Sequence, residues 1–196
     1  MKTRVILATG STLFLFASLA PAGSPKVPPL SPSSFHVKAK LSVGDRTISL
    51  ANGVAILQAR RGAPGYSWLR IYFYSFPLTA EDVAGAKNGD VKSMERKWNK
   101  KASNPTDYNN SHGVIQLTVD KDRKVWQVDM SVPGYTCTIA PFPKDVEAFL
   151  QSYRFDGRSL KLASKGSYVC GTLVANVPKQ TLGWDIKLDL PVFEKK

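Results

Sequence analysis

The chain has 196 residues, 43% of them hydrophobic, and 27 Lys+Arg against 15 Asp+Glu give a formal charge of +12. That length suits one domain able to bury a real core. The basic balance favours anionic partners (nucleic acid, acidic polysaccharide or an anionic membrane) when it does not serve solubility alone. Two His and two Cys leave little material for a histidine-based triad or a zinc centre.

The first twenty-odd residues read as a secretory signal peptide. Lys2 and Arg4 form a short positive segment, Val5 to Ala20 carries no charge, and Ala20-Pro21-Ala22 places small residues for cleavage after Ala22. Thr9, Gly10, Ser11 and Thr12 interrupt the apolar run, which makes it a poor permanent span. The competing reading is an uncleaved anchor, since Pro21 sits beside the cut. No second long apolar run follows, so no transmembrane segment is expected in the mature chain. The expected organisation is a signal peptide over 1–22, a Pro/Ser-rich extended linker over 23–34, and one β-rich domain over 35–196, secreted or periplasmic.

From Phe35 the pattern changes. Phe35, Val37, Ala39, Leu41 and Val43 alternate with His36, Lys38, Lys40 and Ser42. Period two over nine residues predicts a strand with one buried face and one wet, basic face. Gly44-Asp45 offers a turn, and Asn52-Gly53 predicts a second hairpin with Val54–Ala59 returning. Residues 60–65 compose a loop. Ser67–Phe76 is the most β-prone stretch and is apolar on both sides, as in a strand covered on both faces. Thr79–Lys87 predicts a short helix, with Asp82 three residues after Thr79 completing a capping-box pattern.

Residues 90–101 are ambiguous: Val91, Met94 and Trp98 fall at helical spacing within a very basic run. Residues 102–113 read as a polar loop, and Val114–Val119 with Val125–Val132 as a hairpin about Asp120-Lys121-Asp122. Tyr135–Ile139 predicts a strand carrying Cys137. Val146, Phe149, Leu150 and Tyr153 form a helical stripe, predicting a helix over 144–153. Asp156-Gly157 is a turn. Leu160–Leu162 and Tyr168–Val174 predict two strands about Lys165-Gly166, and Trp184, Ile186 and Leu188 a last one. Nine or ten short strands and one or two helices predict a mainly β fold: a single antiparallel β-sandwich or barrel-like domain.

Export makes a Cys137–Cys170 disulfide the natural pairing, with two free thiols as the alternative. Asp120-x-Asp122 begins like a calcium loop, but Val125 stands where Gly is required. No nucleotide-binding glycine loop and no specific nucleic-acid motif occurs, and no cofactor or metal is expected. Glu81, Glu95, Glu147 and Glu194 are scattered, so a glycosidase-like carboxylate pair would have to be gathered by the fold; Asp129 and Asp185 are the candidates. No catalytic residue is otherwise assigned.

Two features carry binding chemistry. Trp68, Arg70, Tyr72 and Tyr74 share one strand face and could stack on sugars or bases, or pack as core between layers. Lys92, Arg96, Lys97, Trp98, Lys100 and Lys101 form a basic segment with an aromatic inside it, suited to a polyanion or anionic lipid. The favoured reading is a non-catalytic exported binding or interaction module whose partner the sequence does not assign; an anionic polymer or carbohydrate is a candidate. The alternatives are a polyanion or envelope-surface binder acting through 92–101, and a hydrolase of an extracellular polymer.

Overall fold

A computed structural model describes residues 31–100, 112–132, 135–140, 143–170 and 180–195; the expected signal peptide lies outside them. Among the described residues nine strands form one sheet: β1 (His36–Val43), β2 (Arg46–Ala59), β3 (Tyr66–Tyr74), β4 (His112–Asp120), β5 (Val125–Val132), β6 (Tyr135–Ala140), β7 (Ser152–Phe155), β8 (Ser159–Cys170) and β9 (Gln180–Lys195). Their order is β6-β5-β4-β3-β2-β1-β9-β8-β7, antiparallel throughout except where the end of β9 meets β2 in parallel.

Alternation along each strand sends one set of side chains to a shared interior. Leu41, Leu69, Ile71, Phe73, Ile115, Leu117, Val128, Met130, Leu160 and Leu182 are all fully buried there, in a single cluster to which every strand contributes. The sheet therefore rolls around its own apolar face. It does not close by hydrogen bonds; instead the Cys137–Cys170 disulfide, with Cα atoms 5.6 Å apart, joins edge strand β6 to β8. A short helix, α3 (Pro143–Phe149), adds Val146 and Phe149 to the same interior. The Phe149 ring packs 5.2 Å from that of Trp184, whose indole N–H donates to Ser164 Oγ at 2.8 Å. Ser164 in turn donates to the Phe149 carbonyl.

A second apolar layer lies on the outer face of β2 and β3, under α1 (Ala80–Lys87) and α2 (Lys92–Lys100). Phe35, Val54, Ile56, Tyr74, Phe76, Met94 and Val91 compose it. This is why β3 is apolar on both sides. The predicted cap of α1 forms as expected: Thr79 Oγ1 accepts from the Asp82 N–H, and Asp82 Oδ2 accepts from the Thr79 N–H at 2.7 Å.

Five sequence expectations are corrected. Asn52-Gly53 is not a turn; β2 runs through it unbroken. Between the pairs Ala39–Leu50 and His36–Asn52 the β1–β2 register slips by one residue, and inward facing passes from Leu50 to Ala55. Asn52 holds this corner by donating Nδ2 to the Phe76 carbonyl at 2.9 Å. A Cβ on Gly53 would lie 3.1 Å from the Tyr72 carbonyl oxygen and 3.2 Å from Val37 Cγ1. The Asn-Gly pair is thus used for a strand bend and close approach, where a bulge and a glycine serve together. Phe35 does not continue the β1 alternation: a single 3-10 turn, Pro32–Phe35, turns it into the outer layer against Phe193. Lys165-Gly166 is likewise strand, because the Trp184 ring lies over Gly166 where a side chain would otherwise stand. The helix predicted over 144–153 stops at Phe149, and Tyr153 belongs to β7. His112 and Gly113, read as loop, open β4. The ambiguous 90–101 stretch is helical over Lys92–Lys100.

Candidate functional site

Among the described residues no helix lines the hollowed outer face that β1, β9, β8 and β7 share. Strongly coiled sheets are saddle-shaped, and small residues floor the depression here. One hollow of about 620 Å³ is lined by His36, Lys38, Ala51, Ser152, Lys161, Ala163, Lys187 and Asp189, among others. A second, of about 440 Å³, shares Lys38 and Ala51 with it and reaches Lys40 and Asp185. A third, of about 470 Å³, continues from Lys40 and Asp185 to Lys165, Ser42, Ser167 and Gly183. The three form one trough along β1.

Register explains its charge. Across the sheet, Lys38 on β1 stands opposite Lys187 on β9, which stands opposite Ala163 on β8, itself opposite Ser152 on β7. The central row is therefore two lysines flanked by small side chains. On either side lie ion pairs: Lys161–Asp189 at 2.9 Å and Lys165–Asp185 at 3.0 Å. Lys38, Lys40 and Lys187 make no ion pair among the described residues. Five lysines line the trough against two aspartates, both already paired. Like charges directly opposite on a sheet destabilise it, and an anion lying between the two ammonium groups would relieve that repulsion.

The aromatic face predicted on β3 divides. Tyr74 is fully buried in the layer beneath α1 and α2, 5.0 Å from Phe76 ring to ring; burial raises its phenol pKa well above normal. Trp68, Arg70 and Tyr72 are half-buried. The Arg70 guanidinium stacks 4.8 Å over the Trp68 ring and donates Nε to Gln116 Oε1 at 2.7 Å. Gln116 passes the network to Asp129, 3.4 Å away, which also accepts from Gln127 and from Thr138 Oγ1 at 2.6 Å. This is a polar ladder across β3, β4, β5 and β6. Burial raises the Tyr72 pKa, and Arg70 opposes that by charge and hydrogen bonding.

The predicted basic segment and this face meet at one place. Arg70 and Tyr72 share a hollow of about 190 Å³ with Lys92, Glu95 and Lys195. Lys92 and Arg96 are exposed one helical turn apart, and Arg96 Nε donates to the Lys92 carbonyl at 3.3 Å. The side chains of Lys97, Trp98 and Lys100, and all of Lys101, lie outside the described residues.

Among the described residues the two candidate carboxylates are not brought together. Asp129 on β5 and Asp185 on β9 are separated by β4, β3, β2 and β1 in strand order, each on the outer face. Asp120 is a turn clamp: Oδ1 accepts from the N–H groups of Asp122 and Lys124, Oδ2 from the Trp126 indole, and these bonds lower its pKa, the Trp126 bond most. Asp156 clamps the β7–β8 turn through the N–H groups of Arg158 and Ser159, which lower its pKa to about 2. Among the described residues no three His, Cys, Asp or Glu side chains gather as a metal site.

In the sequence Lys38, Lys40 and Lys187 read as ordinary outward strand residues, and Lys165 as part of a break between strands. The basic face of β1 was visible. That Lys187 falls beside Lys38 was not, because β1 and β9 stand at opposite ends of the chain and their register is a tertiary property. Comparison with known proteins supplies no relative for the trough: no family model, no curated protein and no solved structure matches the chain.

Proposed function

We propose that the protein is an exported, non-catalytic binding module that holds a polymer bearing phosphate, carboxylate or sulfate groups along the trough of β1, β9 and β8. The observation that carries this reading is the unpaired Lys38–Lys187 row, set in a hollow longer than any single ion needs. The non-catalytic part is supported by how the acids are used. Asp82 caps a helix, Asp120 and Asp156 clamp turns, Asp129 sits in an amide and hydroxyl network, and Asp185 and Asp189 hold lysines.

The test is retention on immobilised heparin as the salt concentration rises. Lys38→Glu with Lys187→Glu is expected to elute at distinctly lower salt than the parent, with an unchanged far-ultraviolet spectrum. Unchanged retention in that double variant would remove the trough from the function. A second reading, binding through α2, is favoured by the exposed Lys92 and Arg96 one turn apart. It predicts instead that Lys92→Glu with Arg96→Glu abolishes retention while the trough variant keeps it.

A further inference from the structure

One end of the rolled sheet collects three connections: the β2–β3 loop, the β4–β5 turn and the β7–β8 turn. They expose Arg61, Lys121, Arg123, Lys124 and Arg158 together. Two of the three acids beside them, Asp120 and Asp156, already accept hydrogen bonds on both oxygens, Oδ1 from turn N–H groups and Oδ2 from the Trp126 indole and the Ser159 hydroxyl respectively; Asp122 is the third. At the same end stands Trp126, 54% exposed, one of two large hydrophobic side chains so exposed among the described residues.

Trp126 is held out rather than left out. Thr118 pairs with Gln127 and Val119 with Val125, so Trp126 is the extra residue of a β-bulge, a device that re-aims a side chain. Its indole N–H donates to Asp120 at 3.0 Å, and its ring packs edge-on against Tyr66 at 6.1 Å. An oriented Trp beside a Tyr, on an end of the molecule that also exposes several cations, has the composition of an interfacial anchor: apolar rings at headgroup depth, charges on anionic phosphates.

We infer that this end of the molecule docks on an anionic lipid bilayer, with Trp126 and Tyr66 entering the interface and the loop cations facing the headgroups. The inference does not rest on the trough, which occupies a side face of the sheet. Charge complementarity together with an exposed indole selects the bilayer: exposed cations lie on the turns that adjoin Trp126, and none of them lines the hollows of the trough.

The experiment is co-sedimentation of the mature chain with vesicles of phosphatidylcholine alone and of phosphatidylcholine mixed with phosphatidylglycerol. Sedimentation is expected only with the anionic vesicles. Trp126→Ala should weaken that partitioning about tenfold, and Lys121→Glu with Lys124→Glu by at least about tenfold. Lys38→Glu with Lys187→Glu should leave it close to the parent, which separates this surface from the trough. All these positions are solvent-exposed, and thermal melts verify folding. No sedimentation with either vesicle, or partitioning indifferent to both the Trp126 and the loop-lysine variants, overturns the inference. So does binding of soluble dextran sulfate through Lys121 and Lys124 in the absence of any vesicle binding.

Discussion

Lys38 and Lys187 face each other across the β1–β9 ladder with no acid between them, while both neighbouring rows of the same face contain a lysine–aspartate pair. Folding alone would favour an acid at position 38, whose same-face neighbours on β1 are His36 and Lys40, whereas Lys187 already lies between Asp185 and Asp189 on β9. Lys38→Glu is therefore expected to stabilise the free protein by a few tenths to about 1 kcal/mol, the range of an opposite-charge cross-strand pair. It should also weaken anion binding. Urea denaturation read beside heparin elution checks both halves. A variant that loses stability and keeps its retention would place these lysines in the architecture rather than in binding.

The disulfide does what backbone hydrogen bonds do not, tying the β6 edge to β8. The bridged residues are 33 apart in sequence, so the chain-entropy model assigns about 3–4 kcal/mol to the crosslink. Cys137→Ala with Cys170→Ala should lower stability by about that amount and leave the strand content of the surviving folded state unchanged. Denaturant titration with circular dichroism measures it. A loss well under 1 kcal/mol would mean that α3 and the interior hold the roll without the staple.

Much of this fold is legible in local pattern, and its failures share a cause. The alternation of Val37, Ala39 and Leu41, the β4–β5 hairpin, the Thr79–Asp82 cap and the cysteine pairing depend on neighbours in sequence or on the compartment. Asn52-Gly53 and Lys165-Gly166 misled because a glycine can serve a turn or a close contact equally well. Only the arrival of Leu190 and Val37 at Gly53, and of Trp184 at Gly166, decides which. The site was hidden for the same reason. The aromatic run on β3 divides, Tyr74 entering the helix-covered layer while Trp68 and Arg70 stay half-buried beside Gln116, and the lysine row requires a register between β1 and β9 that no local pattern encodes.

Asp82 links α1 to α2. It is fully buried, accepts from both the backbone and side chain of Thr79, and its other oxygen accepts from Ser93 Oγ at 2.9 Å. Removing a buried acceptor leaves those donors unsatisfied, which costs about 1–3 kcal/mol. Asp82→Ala should fall in that range, with hydrogen-exchange protection lost first in α1 and α2 and the interior strands unaffected. Global loss of protection at one rate would show instead that the outer layer and the rolled sheet unfold as one unit.

His112 gives the protein a built-in acid sensitivity. It opens β4 opposite Tyr74, and burial lowers its pKa from 6.5 to about 4. The unfolded chain then binds the proton more readily than the folded one, so stability is complete above the unfolded pKa and declines as pH falls from about 6.5 to about 4. The ring is half-buried, and after solvent screening the effect is on the order of 1 kcal/mol. Asp156 acts in a separate window: its lowered pKa, about 2, gives stability that is present above its ordinary 3.8 and lost as pH falls toward 2. Denaturant midpoints for the parent and His112→Gln, compared between pH 7 and pH 4, isolate the histidine. The parent should lose more stability than the variant over that interval, and the two should run parallel below it; parallel curves throughout would assign the acid sensitivity to other groups.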